Sequence, residues 1–211
     1  MIFKLRILKN MVLRSFCKEN FIKSLSKNSH VLDIGCGNIS PKVFFAISNA
    51  KYYGIDITKN NKYFKGNGLF YSSSSHQFVK DIKQVLDKHP IDTILSNHNL
   101  EHCEDWKKQI EIIVKMKKIK RVFFAFPSSS SINLPKSKSG NLNFYQDKTH
   151  ISVPDIDYIS SLMKSNNWNF KVCVRNYKPL FPYFVGFLWH PIFLLTGRQS
   201  PLYGTYSFLG F

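Results

Sequence analysis

Two glycines one residue apart, Gly35 and Gly37, follow directly on the strand-type run Val31-Leu32-Asp33-Ile34. Glycine serves where the backbone must take positive φ or let a ligand come close, and a strand feeding such a turn leaves backbone N–H groups facing that ligand. Taken alone, Gly35-Cys36-Gly37 fits either a nucleotide site or an ordinary βα turn. Asp56, followed by Ile57, ends the next apolar run, where an acid can accept hydrogen bonds from both hydroxyls of a ribose. Asp81 follows Phe78-Val79-Lys80 and is open to two roles, contact with an adenine amino group or N-cap of a helix over Ile82 to Lys88. A further run ends in Ser96-Asn97-His98-Asn99-Leu100-Glu101-His102. His98-x-x-Glu101-His102 fits an inverted zinc-protease pattern, two histidines on one helical face with a glutamate as base. The segment directly follows a strand instead of lying within a helix, and no distant ligand suggests itself, so no metal is expected; Glu101 and His102 read as braces for the strand's exit. Groups able to take a proton from a hydroxyl are His150 and Asp147, in Tyr145-Gln146-Asp147-Lys148-Thr149-His150, and then His98.

The elements that must position these groups alternate. Strand-like runs at Val31 to Ile34, Tyr52 to Ile55, Gln77 to Val79, Thr93 to Ser96 and Arg121 to Ala125 are interleaved with helical patterns at Pro41 to Asn49 and Asp105 to Lys118, the signature of parallel βα units. A polar loop over 127–148, rich in serine, comes after the fifth strand, on the side where a substrate is expected. Ser152-Val153-Pro154-Asp155 predicts a helix start capped by Ser152 and running to about Asn167. Strands are expected again at Asn169 to Val174 and Leu202 to Phe211, separated by the 175–201 insertion.

Four segments in order resemble the class I S-adenosylmethionine-dependent methyltransferases. Val31 to Asn38 is similar to the family's first motif, Tyr53-Gly54-Ile55-Asp56 to its ribose acid, Phe78 to Asp81 to its adenine-side segment, and Ser96 to Trp106 to its Leu-Glu-His-x-x-Asp segment. The resemblance spans roughly His30 to Asn169; one departure is Ile39, where the family commonly has a third glycine. It implies an α/β Rossmann-like three-layer sandwich: a seven-stranded, mostly parallel sheet with a C-terminal antiparallel strand and an apolar insertion before the last strand. It implies S-adenosylmethionine as cofactor, with Asp33, Gly35, Cys36 and Gly37 at the methionine end, Asp56 and Ile57 at the ribose, Asp81 and Ile82 flanking adenine, and Ser96 and Asn97 lining the methyl face. The Pro-Pro-aromatic turn of nucleobase-amino methyltransferases is replaced by Ser96-Asn97-His98-Asn99, which disfavours that acceptor class. The overall pattern is most similar to bacterial enzymes acting on small molecules, sugars or lipid-linked glycan precursors; RNA methylation and a non-catalytic binding protein are the alternatives.

The chain of 211 residues fits one domain, with a basic amphipathic helix at 1–27, the substrate-side loop at 127–148 and the insertion at 175–201. Thirty Lys and Arg against 13 Asp and Glu give a net charge of +17, which attracts an anionic partner unless it reflects compositional bias alone. Cys17, Cys36, Cys103 and Cys173 show no CxxC spacing, the pattern of reduced thiols in a cytoplasmic setting. From Pro179 to Gly197 there is no Lys, Arg, Asp or Glu, but Pro182, His190 and Pro191 argue against a straight membrane crossing. The insertion is read as core or lid, as a membrane-surface contact at the inner face, or as a dimer surface. No DNA partner is expected.

Overall fold

The computed structural model describes residues 18–37, 50–57, 69–71, 74–133, 136, 143–175, 188, 191–192, 195–196 and 206–210. The expected helices over 1–17 and 41–49, Ile39, most of the 134–142 stretch and most of the 175–201 insertion lie outside the described residues. Strands β1 (His30–Ile34), β2 (Lys51–Asp56), β3 (Leu69–Tyr71), β4 (Thr93–Asn97), β5 (Arg121–Pro127), β6 (Lys171–Arg175) and β7 (Tyr206–Gly210) lie in the order β3-β2-β1-β4-β5-β7-β6. β1 to β5 pair in parallel, and β7 runs antiparallel to both β5 and β6.

The strands are apolar on both faces, as buried parallel strands must be, and consecutive residues divide between two cores. Leu32 and Ile34 of β1, Ile94 of β4, and Val122, Phe124 and Phe126 of β5 face one side. There they meet helices α2 (Ser75–Lys88), α3 (Trp106–Lys115) and α4 (Ile156–Ser165), through Phe78, Ile82, Leu86, Ile110, Ile113, Ile159 and Met163. Val31, Leu95, Phe123 and Ala125 face the other side and pack on Phe21 and Ile22 of helix α1 (Lys18–Lys23) and on Leu25 beyond it. An α/β Rossmann-like layering follows from that alternation.

Two expected elements sit elsewhere. Gln77 to Val79 is not a strand: Phe78, Ile82, Val85 and Leu86 recur at helical spacing and bury one face of α2, so the two adjacent apolar residues at 78–79 were read at the wrong period. The strand beside β2 is Leu69–Tyr71, pairing with Gly54 to Asp56. Ser152 does not cap a helix; its N–H and that of Ile151 point to the Glu101 carbonyl, at 3.4 and 2.8 Å. Asp155 caps α4 instead, its carboxylate accepting from the N–H groups of Asp157 and Tyr158.

From β1 the chain places β2 on one side and β4 on the other. The carboxyl ends of β1 and β4 are therefore the point where strand order reverses, the place where open parallel sheets bind ligands. No helix among the described residues is long and apolar enough to cross a membrane.

Candidate functional site

The glycine turn sits at that reversal. Gly35 and Gly37 both take positive φ, +71° and +54°. The N–H groups of Gly35 and Cys36 donate to the Ile55 carbonyl, and the Gly37 N–H donates to Asp56 Oδ2 at 2.7 Å. The ribose-type acid and the turn are thus one hydrogen-bonded unit across two neighbouring strands. The glycines serve different purposes. A Cβ at Gly35 would lie 2.6 Å from the Asn99 side chain, whereas one at Gly37 meets nothing within 4 Å among the described residues. Gly35 lets β1 close onto the segment after β4, whereas Gly37 is required for its positive φ alone.

That cleft, about 530 Å3 and open to solvent, is lined by Gly35, Asp56, Ile57, by Ser75, His76, Phe78 and Val79 of α2, and by Asn99, His102, Cys103, Glu104 and Asp105. Ile57 is half exposed at its edge. Of the expected cofactor residues, Gly35, Asp56 and Ile57 line this space. Asp81 and Ile82 do not: they lie mid-helix in α2, and Ile82 is fully buried in the core against the sheet. The start of α2 takes their place at the cleft, and the serine run before it was the available signal. Ser96 is buried with its hydroxyl accepting from Asn99 Nδ2 at 3.4 Å, and Asn97 ends β4 half-buried. Asn99, which sequence reasoning passed over, is the floor beneath Gly35.

Asp33 is buried beneath the turn. Its Oδ2 accepts from the Tyr52 hydroxyl at 3.0 Å and lies 3.9 Å from Lys18 Nζ, while its Oδ1 has no hydrogen-bond partner among the described residues. Loss of water around the carboxylate raises its pKa to about 6, against the opposing pull of Lys18 and Tyr52. Burial, aided by the charges of Asp33 and Asp56, pushes the Cys36 thiol up to about 12, so it is an inert packing group.

Beyond β4 the polar groups converge. His98, at φ +55°, donates from Nδ1 to Glu101 Oε1 at 3.0 Å; its side chain is 39% exposed and that of Glu101 is 0% exposed. An unfavourable backbone conformation held by a buried carboxylate marks a site under constraint. His102 Nδ1 donates to the Thr149 carbonyl and hydroxyl oxygens, at 3.2 and 3.0 Å. His150 Nδ1 donates to the Phe144 carbonyl at 2.7 Å, its ring 4.5 Å from Phe144 and 4.8 Å from His102. Asp147 is occupied otherwise: it accepts from the Thr149 hydroxyl at 2.5 Å and the Thr149 N–H at 2.9 Å. Those bonds hold its carboxyl below the usual range, which makes it a turn-former and a poor base. Its own contact with His150 is 3.7 Å long.

The buried Asp33 oxygen, unpartnered among the described residues, and the Asp56 carboxylate braced on the Gly37 N–H fit a ligand that carries a cationic group and a ribose, both of which S-adenosylmethionine has. Known proteins agree. The methyltransferase domain family matches over residues 11–172. An S-adenosylmethionine-dependent methyltransferase of Archaeoglobus fulgidus is similar at 17% identity, over 99% of this chain and 92% of its own, with a TM-score of 0.53. An S-adenosylmethionine-dependent methyltransferase of Mesorhizobium loti is similar at 10% identity, over 88% of this chain and 92% of its own, also with a TM-score of 0.53. No curated protein matches. With the glycine turn, the strand order and a family match over most of its length, the chain belongs to the class I methyltransferases that use S-adenosylmethionine.

Proposed function

We propose that the enzyme moves the methyl group to a hydroxyl, or another heteroatom, of a small molecule, sugar or lipid-linked glycan precursor. The observation that carries this is the His98–Glu101 pair at the end of β4. A carboxylate can only accept, so Nδ1 of His98 holds the hydrogen and Nε2 is its basic nitrogen, the arrangement of a histidine set to take a proton from a hydroxyl. His98 thereby moves ahead of His150, whose side chain is only 10% exposed, and of Asp147. S-adenosylmethionine supplies an activated methyl group, and the protein supplies alignment and exclusion of water.

Asp33, Gly35, Cys36 and Gly37 are assigned to the methionine end, Asp56 and Ile57 to the ribose, and Ser75, His76 and Cys103 to the adenine side. Ser96 and Asn97 shape the floor and exit of β4 without reaching into the cleft. The expected sheet of seven strands with an antiparallel one near the C-terminus is supported by the pairing of β7 with β5 and β6. An anionic or lipid-linked acceptor, met at the inner face of a membrane, is supported by the charge of +17 and by Leu188, Ile192 and Leu195, which stand 75%, 46% and 84% exposed.

Incubation with labelled donor and fractionated extracts tests the acceptor class. Label in a glycan or lipid fraction supports it, and label confined to RNA overturns it. His98→Gln is expected to lower kcat about 100-fold, with donor Kd changed less than about twofold. A kcat within about threefold of the parent enzyme's would remove His98 from the reaction.

A further inference from the structure

We propose that Glu101, His102 and His150 bind a divalent transition-metal ion through Glu101 Oε2 and the Nε2 atoms of the two histidines. One ligand atom from each of these residues lies within 4.8 Å of the others. Folding supplies the distant third ligand: Ile151 and Ser152 bond the Glu101 carbonyl, and the Thr149 carbonyl bonds His102, so the 149–152 backbone is stitched onto the 101–102 turn with His150 between.

Two independent features of this cluster point to a cation. The first is the state of the imidazoles. A carbonyl oxygen can only accept, so both Nδ1 atoms carry hydrogens, directed at Phe144 and Thr149. That bond fixes the tautomer which leaves Nε2 as electron-pair donor, the second-shell arrangement that orients histidines toward metals. The second is Glu101. Its side chain is 0% exposed, Oε1 takes the His98 hydrogen, and Oε2 is buried with no hydrogen-bond partner among the described residues. A buried carboxylate oxygen without a partner is unfavourable, and a cation among the three ligand atoms would satisfy it.

Two imidazoles and one carboxylate select zinc, cobalt or ferrous iron over calcium and magnesium, which prefer all-oxygen sets. Ligands around an ion of that kind bond at about 2.0–2.2 Å, so modest side-chain rotation completes the site. Three protein ligands leave coordination positions for water or for an acceptor oxygen. His102 also lines the cofactor cleft, so the ion would sit on the cleft's rim.

The test uses the untagged full chain, stripped with chelator and titrated with Co2+ by calorimetry and visible absorption. One ion per chain is expected, with the absorption of a nitrogen-containing low-coordinate site that excess Mg2+ does not abolish. His150→Gln and His102→Gln should each weaken Co2+ binding at least about 30-fold, as removal of one of three ligands requires, while His89→Ala, at the far end of α2, leaves it unchanged. Glu101→Gln is a third arm where the variant folds. Donor binding by His150→Gln, measured separately, reports that the fold and cofactor cleft are intact, so the metal site and the methyl-transfer reading fail or stand independently. Absence of stoichiometric Co2+ binding, or binding that survives both histidine substitutions, would overturn the site.

Discussion

Asp33 shows how a residue proposed to meet the donor can oppose stability. Its carboxyl holds a proton more tightly in the folded protein, at about 6, than at the ordinary value of 3.8, because burial penalises the charged form. The folded state is then the better proton binder, so this group's contribution to stability is greatest at pH 4 and below and is lost as pH rises through about 6. Asp33→Asn, which keeps the Tyr52 contact, should therefore stabilise the donor-free protein at pH 8 by roughly 1–3 kcal/mol and have little effect near pH 3, below the ordinary carboxyl value. Thermal melts at the two pH values check this; a variant less stable at pH 8 would refute it. The same variant should bind donor more weakly, the usual conflict between a site and its fold. The two glycines separate along a different line. Gly35→Ala meets Asn99 at 2.6 Å as well as a positive φ, so a loss of stability of about 2 kcal/mol or more is expected on denaturant unfolding. Gly37→Ala carries only the φ penalty, about 1 kcal/mol, and at a position proposed for the methionine end of the donor it should raise donor Kd at least about tenfold by calorimetry.

Among the elements, α2 is held at its C-terminal end by a group distant in sequence. Its start lines the cleft, and its last turn is tied down by Lys118, whose ammonium donates to the carbonyls of Leu86 and His89. A cation on the last carbonyls of a helix satisfies acceptors that have no helical partner and complements the helix dipole. Lys118→Met is expected to destabilise the protein by about 1 kcal/mol on urea unfolding, with donor affinity nearly unchanged because the lost contact lies at the opposite end of the helix from the cleft. This helix is also where sequence patterning misled. Phe78-Val79 is too short a run to specify a period, and only the burial of Ile82, Val85 and Leu86 decides for helix. The error carried Asp81 to a strand end it does not occupy and hid Ser75 and His76. By contrast β1, β4 and β5 were legible, since continuous apolar runs bounded by polar residues leave no alternative period.

For the whole molecule, the charge of +17 makes encounters with an anionic acceptor long-ranged and sensitive to salt. If the acceptor bears phosphate, kcat/KM for it should fall at least about fivefold between roughly 50 and 300 mM NaCl, through KM, while donor Kd shifts far less. Steady-state kinetics across that range would settle it; salt-insensitive KM would point to a neutral acceptor and leave the charge to composition.

Local pattern was enough to determine the βα alternation, the glycine turn and Asp56, because strand period, positive-φ residues and a strand-end acid are written in neighbouring residues. The donor was implied only by the resemblance of four ordered segments to the methyltransferase family. Tertiary structure alone decided which groups share a space. Asn99 beneath Gly35, α2's first turn at the cleft, and His150 beside Glu101 and His102 all arise from contacts between segments far apart in sequence. Spacing along the chain carries no record of such contacts, since packing and backbone hydrogen bonds between elements create them. A metal pattern with no distant ligand thus became three converging ones once the 149–152 backbone closed onto the end of β4.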